Sequence, residues 1–423
     1  MRKKYLSDRA RRVRPVVLIA SLALAVPIVA AAESWSLERS VARAVDVSPA
    51  YAASRAAVLA RQGDLAEAGR WPNPAVEITL GDGLGRELGA ADWRGQEYAV
   101  SQTVPLGGRL REQRRAVARD LAATQAQADA AALDVEYAAA SAFHQLQWAR
   151  EQVLLAQAQR ERTREFRRIG QRRAAAGDLS SREELRLELL AAEAEAALED
   201  ATREVSAARL RLLALLDLPA EHAFEPRPLT RPASPPTLDE LLERQREHPA
   251  ARIARERFEA ASARRAEARA ARLPDLELRV TREEEVFDGR RQAAYSVGLQ
   301  VELPLWRSGL GRLEASSGEV LRTQEELRLT QRDRHTALAE SHGQLARLLE
   351  RSARHQSAVL ERSQQVLTLT EQGYAAGELA LAELIDAAQA NWGAARQQLD
   401  LLLQANLHEA QLRHAAGLRL TTH

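Results

Sequence analysis

His335 and His342 stand seven residues apart, a spacing that puts both rings on one helix face, where they could share a metal ion only with ligands from another chain. The remaining histidines are scattered, with no His-x-x-x-His or Glu-x-x-His spacing, so solvated or seam histidines are the simpler reading. With one methionine and no cysteine, the chain lacks the soft ligands that Cu(I) needs, and it can form neither disulfides nor a lipid-bearing N-terminal cysteine. No nucleophile elbow or phosphate loop occurs. The chemistry-bearing residues therefore point away from an enzyme, from a cofactor and from a resident metal. The chain reads as a passive element whose energy source lies in a partner.

What the elements position instead follows from patterning. Residues 1–14, MRKKYLSDRARRVR, carry seven cations and one carboxylate and lead into the apolar run VVLIASLALAVPIVAAA. This reads as a secretory signal peptide over 1–32 ending at the Ala30-Ala31-Ala32 cluster, rather than as a membrane anchor. Arg11-Arg12 is a weak twin-arginine match. Without that segment the formal charge of +1 becomes about −5, spread as mixed Arg and Glu with no basic patch for nucleic acid. After it, no apolar run approaches the roughly 20 residues of a spanning helix, so a membrane could be crossed only as β-strands. Aromatics are 4%, while Ala, Leu, Arg and Glu dominate, the composition of long packed helices.

The chain states one plan twice. SLERSVARAVDVSP (36–49) answers TLDELLERQREHP (237–249), each opening on a hydroxyl N-cap and closing at a proline. WPNPAVEITLG (71–81) answers LPDLELRV (273–280), YAVSQTVPLGG (98–108) answers YSVGLQVELPLWRSG (295–309), and AAGDL (175–179) answers AAGEL (375–379). Between the copies, residues 219–236 hold six prolines in eighteen positions, which forbid helix or central strand. The expected organisation is a signal peptide over 1–32, a first repeat over 33–218, the linker, a second repeat over 237–418 and a tail over 419–423.

Within each repeat the order is two shorter helices, two strands, then two long helices joined by a turn. Strands are expected near 75–82, 96–104, 275–284 and 293–303. Tyr295, Val297, Leu299, Val301 and Leu303 alternate with Ser296, Gly298, Gln300 and Glu302. That is either a half-buried soluble hairpin or a lipid-facing strand. Trp71, Trp93, Tyr98, Tyr295 and Trp306 lie at the expected strand ends, where the aromatic girdles of a membrane barrel sit. Four strands cannot close a barrel, so several chains would have to contribute. Leu187, Ala191, Ala194, Leu198, Ala201, Val205, Ala208, Leu212 and Leu215 step as a heptad seam. The proline-free run from Gly108 to Arg172 would span on the order of 100 Å as one helix. The tips of the resulting hairpins fall near 173–181 and 373–381.

In the order and duplication of these motifs the chain resembles the TolC family of outer-membrane efflux ducts. The carriers are the "SLERSVARAV…SP" opening, "SQTVPLGG" after the second strand, and Tyr374-x-x-Gly377-x-Leu379 followed by Glu383-Leu384-Ile385-Asp386-Ala387. The resemblance implies a mainly helical fold with a small β part. It further implies a homotrimer, with four strands per chain forming a shared twelve-stranded outer-membrane β-barrel above a periplasmic α-barrel of helical hairpins. The partners it implies are a periplasmic adaptor and an inner-membrane pump, with outer-membrane lipid around the strands. "SQTVPLGGRLREQRR" is most similar to the heavy-metal (CzcC- and CusC-like) branch, which implies metal cations as cargo. Multidrug export, a pore-free periplasmic scaffold and a diffusion porin are the alternatives.

The same resemblance assigns roles to particular residues. Gly177, Asp178, Leu179 and Ser180, with Gly377, Glu378, Leu379 and Ala380, become adaptor-docking tips, for which exposed leucines are expected. Helix-turn chemistry alone would equally explain the glycine and the acid. Tyr374, Glu383 and Asp386 become a tunnel gate, where three chains would gather six carboxylates. A solvated helix face is the plainer reading of those acids. In the first copy Glu183 matches Glu383, while Arg186 replaces the second acid as a possible ion-pair partner.

Overall fold

The computed structural model describes residues 34–82, 94–175, 177–287, 290–306 and 308–420. The expected signal peptide and Trp93 lie outside them. Strand β1 (Ser34–Trp35) leads into α1 (Leu37–Val47) and α2 (Pro49–Glu67), then β2 (Ala75–Asp82), β3 (Arg94–Val104), α3 (Arg109–Ala175) and α4 (Ser181–Leu215). The second copy begins after β4 (Glu225–Pro226). It runs α5 (Leu238–Gln245), α6 (Pro249–Ala270), β5 (Leu276–Phe287), β6 (Arg290–Val301), α7 (Leu310–His355), a π-helical turn (Gln356–Leu360), α8 (Glu361–Ala376) and α9 (Leu381–Ala416).

The short helices start where hydroxyls cap them. Ser36 accepts from the Arg39 amide at 3.2 Å and Thr237 from the Glu240 amide at 3.4 Å. In the second copy a histidine does the work that serine does in the first. Ser48 caps α2, and at the equivalent start of α6 the Nδ1 of buried His248 accepts from the Ala250 amide at 3.0 Å. Its Nε2 then donates to the His414 carbonyl at 3.1 Å. Burial first, and the Arg334 guanidinium second, push the His248 ring down to about 4; Asp134, bonded to His414, pulls weakly the other way. The neutral ring is thus favoured in the fold, so its contribution to stability is full above the ordinary histidine range and declines as pH falls from about 6.5 towards 4. Urea denaturation across that window should show the decline, and His248→Ser, which restores the first copy's cap, should flatten it.

Strands β2-β3-β5-β6 form one antiparallel sheet, so the central β3–β5 pair joins the two repeats. The four long helical runs lie side by side. Helix α3 packs on α4, α6 and α9, and α9 packs on α7 and α8. Small residues let these helices approach closely, as at buried Ala126, Ala132, Ala139, Ala140 and Ala149 of α3. Three apolar cores hold the wall. One gathers Trp35, Val41, Phe143, Leu212 and Phe224, its second-copy counterpart gathers Leu241, Leu338, Leu345 and Leu412, and the third binds the two hairpin tips together.

Several expectations change in detail. In α4, Leu187, Ala194, Ala208 and Leu212 are buried, but Leu215 is 38% exposed because the buried stripe at this end runs through Leu212, Leu213 and Leu216 instead. Strand β6 ends at Val301, so Leu303 lies beyond it; Pro304, which has no amide hydrogen to donate, follows closely. The linker forms neither helix nor central strand and is held against β1 and the long helices. Glu225–Pro226 pairs in parallel with Ser34–Trp35, Gln147 donates to the Arg227 carbonyl at 2.8 Å, and Asn406 donates to the Thr230 carbonyl at 2.9 Å. His342, considered above for metal, bonds the Pro236 carbonyl at 3.1 Å. Among the described residues no cluster of His, Cys, Asp and Glu could hold a metal ion.

Candidate functional site

The sheet separates two chemistries by register. On one face, cross-strand rows read Val76–Val100–Val280–Val297 and Ile78–Tyr98–Arg282–Tyr295, with Leu276, Leu278, Leu299 and Val301 nearby. Many of these are bare, with Val76 at 71%, Val297 at 72% and Leu299 at 69% exposed. On the other face the rows read Glu77–Ala99–Thr281–Ser296 and Thr79–Glu97–Glu283–Ala294, where Arg279 bonds Glu77 at 2.8 Å and Glu97 at 3.3 Å. Among the described residues β2 and β6 each have one strand neighbour, which leaves two open edges.

The aromatics divide differently from the expectation that all mark strand ends. Trp71 precedes β2 and Trp306 follows β6, so both sit where the sheet meets the helices, exposed at 59% and 92%. Tyr98 and Tyr295 instead occupy mid-strand positions in one row, flanking Arg282, whose guanidinium lies 5.9 Å from the Tyr295 ring centroid. The strands continue past that row into polar sequence, which carries their ends beyond it. From Tyr295 to Val301 the strand spans about 20 Å, and the loop to Trp306 lengthens the apolar band towards the ~25 Å of outer-membrane barrels.

At the far end of the helices the two tips share one geometry. Gly177 and Gly377 both have φ of +82°, the left-handed region that a side chain disfavours. The Asp178 amide donates to the Arg173 carbonyl and the Glu378 amide to the Gly373 carbonyl, each at 2.9 Å. Asp178, Ser180, Glu378 and Ala380 are exposed. Leu179 and Leu379, expected to be exposed, are half-buried, because each folds back onto its own hairpin. Leu379 packs over Gly373, and Leu179 joins the tip core near Gly170.

Ser180 has a structural role of its own. It caps α4 in a reciprocal capping box with Glu183, whose carboxyl is held below the usual range first by the Ser180 backbone amide and then by its hydroxyl. Glu183 is therefore engaged with Ser180. Ala380 offers no such cap. Ser180→Ala should cost about 1 kcal/mol locally, visible as faster amide exchange in the first turn of α4 and not of α9.

Tyr374 does not share a surface with Glu383 and Asp386. It is 1% exposed in the tip core with Phe166, Leu187, Leu367, Leu381 and Leu384, because it lies on the stripe of α8 that faces the other hairpin. The Arg173 guanidinium lies 4.8 Å from its ring centroid and donates to its carbonyl at 3.4 Å, while its hydroxyl is buried without a partner. Burial raises the phenol above its ordinary range. Glu383 and Asp386 are exposed on the opposite side of the buried Leu381–Leu384–Ala388 stripe. Arg173, and the Arg162–Glu371 pair that also ties the hairpins at 3.1 Å, escaped sequence reasoning, since Arg at high frequency in exposed helices carries no positional signal.

Residues 238–418 match the family described as "OEP: Outer membrane efflux protein". The matched segment, less than half of the chain, runs from the start of α5 to just past the end of α9. The fold over 90% of the chain is that of solved outer-membrane channels. The outer membrane protein VceC of Vibrio cholerae superposes with a TM-score of 0.77 at 20% identity, covering 90% of this chain and 96% of that one. The outer-membrane channel OprN gives 0.76 at 20% identity, covering 90% and 89%, and CusC gives 0.75 at 16%, covering 90% and 93%. No curated protein sequence matches. The matching family model and the solved channels named above are non-enzymatic.

Proposed function

We propose that the chain is one third of an outer-membrane exit duct for an efflux system. The observation that carries this is the sheet: a face of bare Val, Ile and Leu beside two unpaired edges is stable in lipid only if copies close it into a ring. The helices repeat the argument. Helix α4 flanks the wall with Leu185 at 65% and Leu189 at 60% exposed, and α8 flanks the other side with Val366 at 54% and Leu369 at 67%. Three copies would close both layers, with the aromatic pairs Trp71/Trp306 and Tyr98/Tyr295 at the two lipid interfaces and the Glu-rich sheet face lining the lumen.

In this reading most of the helical mass stands in the periplasm, delivered by the signal peptide. The tips at Gly177–Ser180 and Gly377–Ala380 meet a periplasmic adaptor and pump. Glu383 and Asp386, both bare in the single chain, would face the tunnel axis as a ring. Heavy-metal cations are the preferred cargo, on the sequence branch and on the acid-lined lumen. The deciding experiment is the absolute mass, by light scattering, of protein extracted in detergent from outer-membrane fractions. Three chains without the leader give on the order of 130 kDa, whereas a soluble monomer would overturn the duct in favour of a scaffold. A strain lacking the protein should be sensitised to zinc, cobalt, cadmium or copper; sensitivity to dyes alone would replace metals by organic cargo.

A further inference from the structure

We infer that a recess at the foot of the sheet binds the phosphate headgroup of an anionic phospholipid. The inference rests on the duct reading, which places this level at the leaflet facing the helices. The recess, about 530 Å³, opens where the loop before α3 meets the end of α6, and Arg111, Arg269 and Arg272 line it together with Glu112. Its floor is fixed. Gly107 is so closely approached that an added Cβ would lie 2.8 Å from Leu273 Cδ1, and the Arg272 stem crosses Gly309 in the same way at 3.1 Å.

The charge is unspent. Arg111 uses its Nε on Glu112 at 3.1 Å while its side chain remains 83% exposed, and Arg269 and Arg272 make no ion pair among the described residues. Glu112 subtracts one charge and is already shared with Arg115 at 3.8 Å, so the recess keeps a net positive balance that only an outside anion would meet. Its setting selects the anion. Leu106, Leu273, Leu305 and Trp306 are exposed at 40%, 53%, 71% and 92% around the same level. From the sheet downwards the surface therefore runs apolar, then Trp and Leu, then guanidinium, which is the order of acyl chain, interface and phosphate in a bilayer. A chain with no cysteine to carry a lipid gains in this way a lipid contact outside the barrel proper.

The test titrates the purified full-length trimer in detergent with phosphatidylglycerol or phosphatidylcholine and counts retained lipids by native mass spectrometry. Up to three phosphatidylglycerol molecules per trimer are expected, with affinity falling roughly fivefold for each arginine removed in Arg111→Gln, Arg269→Gln and Arg272→Gln. The corresponding Lys variants should keep most of it. Should the triple variant not assemble, Arg111→Gln alone, on an exposed side chain, gives the reading. Equal retention of the two lipids, unchanged binding in the variants, or full displacement by millimolar inorganic phosphate would overturn the headgroup site. A trimer showing any of these leaves the duct standing, whereas a soluble monomer overturns the duct itself.

Discussion

Val297→Arg should prevent the protein from accumulating in the outer membrane, while Ser296→Arg, one residue away, should not. Val297 ends the row Val76–Val100–Val280–Val297 in the middle of the apolar face and is 72% exposed there. A guanidinium at that depth costs about 2–4 kcal/mol per site in a membrane barrel, and a trimer would meet the cost three times. Ser296 shares its row with Glu77 and Thr281 on the polar face, where an added cation finds water and carboxylates. Quantifying the trimer band in outer-membrane fractions checks both. Equal accumulation of the two variants would mean that the exposed valines do not meet lipid.

Tyr374 offers the second large contrast. Tyr374→Ala should loosen the tip by roughly 3–5 kcal/mol, since it empties a wholly buried aromatic site shared by both hairpins. Tyr374→Phe should be neutral or slightly stabilising, because the hydroxyl it removes is buried without a partner. Hydrogen exchange over the ends of α3 and α8 would register the first as a broad loss of protection and the second as no loss. If the Phe variant proves as disruptive as Ala, the hydroxyl has a partner in the assembled ring, and Tyr374 belongs to the gate after all.

Much of this architecture was legible because duplication repeats every signal. Ser36 and Thr237 mark the same helix start, Gly177 and Gly377 mark the same turn, and the alternation in 295–301 fixes which sheet face is apolar. What stayed hidden depends on which helix lies beside which. The Tyr374-x-x-Gly377-x-Leu379 motif says that both residues sit near a tip, but only the packing of α8 on α9 and the tip core decides that one is buried and the other folded back. Tyr98 and Tyr295 read as strand ends because the apolar alternation points to strands starting near 96 and 293. The strands start earlier, at Arg94 and Arg290, and β5 runs on to Phe287, since hydrogen bonding in a sheet does not stop where hydrophobicity does. The π-helical turn at Gln356–Leu360 has no first-copy counterpart and no sequence signature of its own.

The β3–β5 pairing fuses the two repeats inside a single sheet, and this bears on symmetry and descent. A ring of three such chains is a ring of six near-equal units, so half-length chains could in principle have built the same object before the linker joined them. Positions where the halves agree, such as the left-handed glycines at the tips, need obey only the sixfold plan. Positions where they differ, Ser180 against Ala380, Arg186 against Asp386, and Asp217 at φ +50° where Gly417 stands at φ +72°, are where a ring of three chains would depart from a sixfold one. Specialisation between the two hairpins can be written only at such positions.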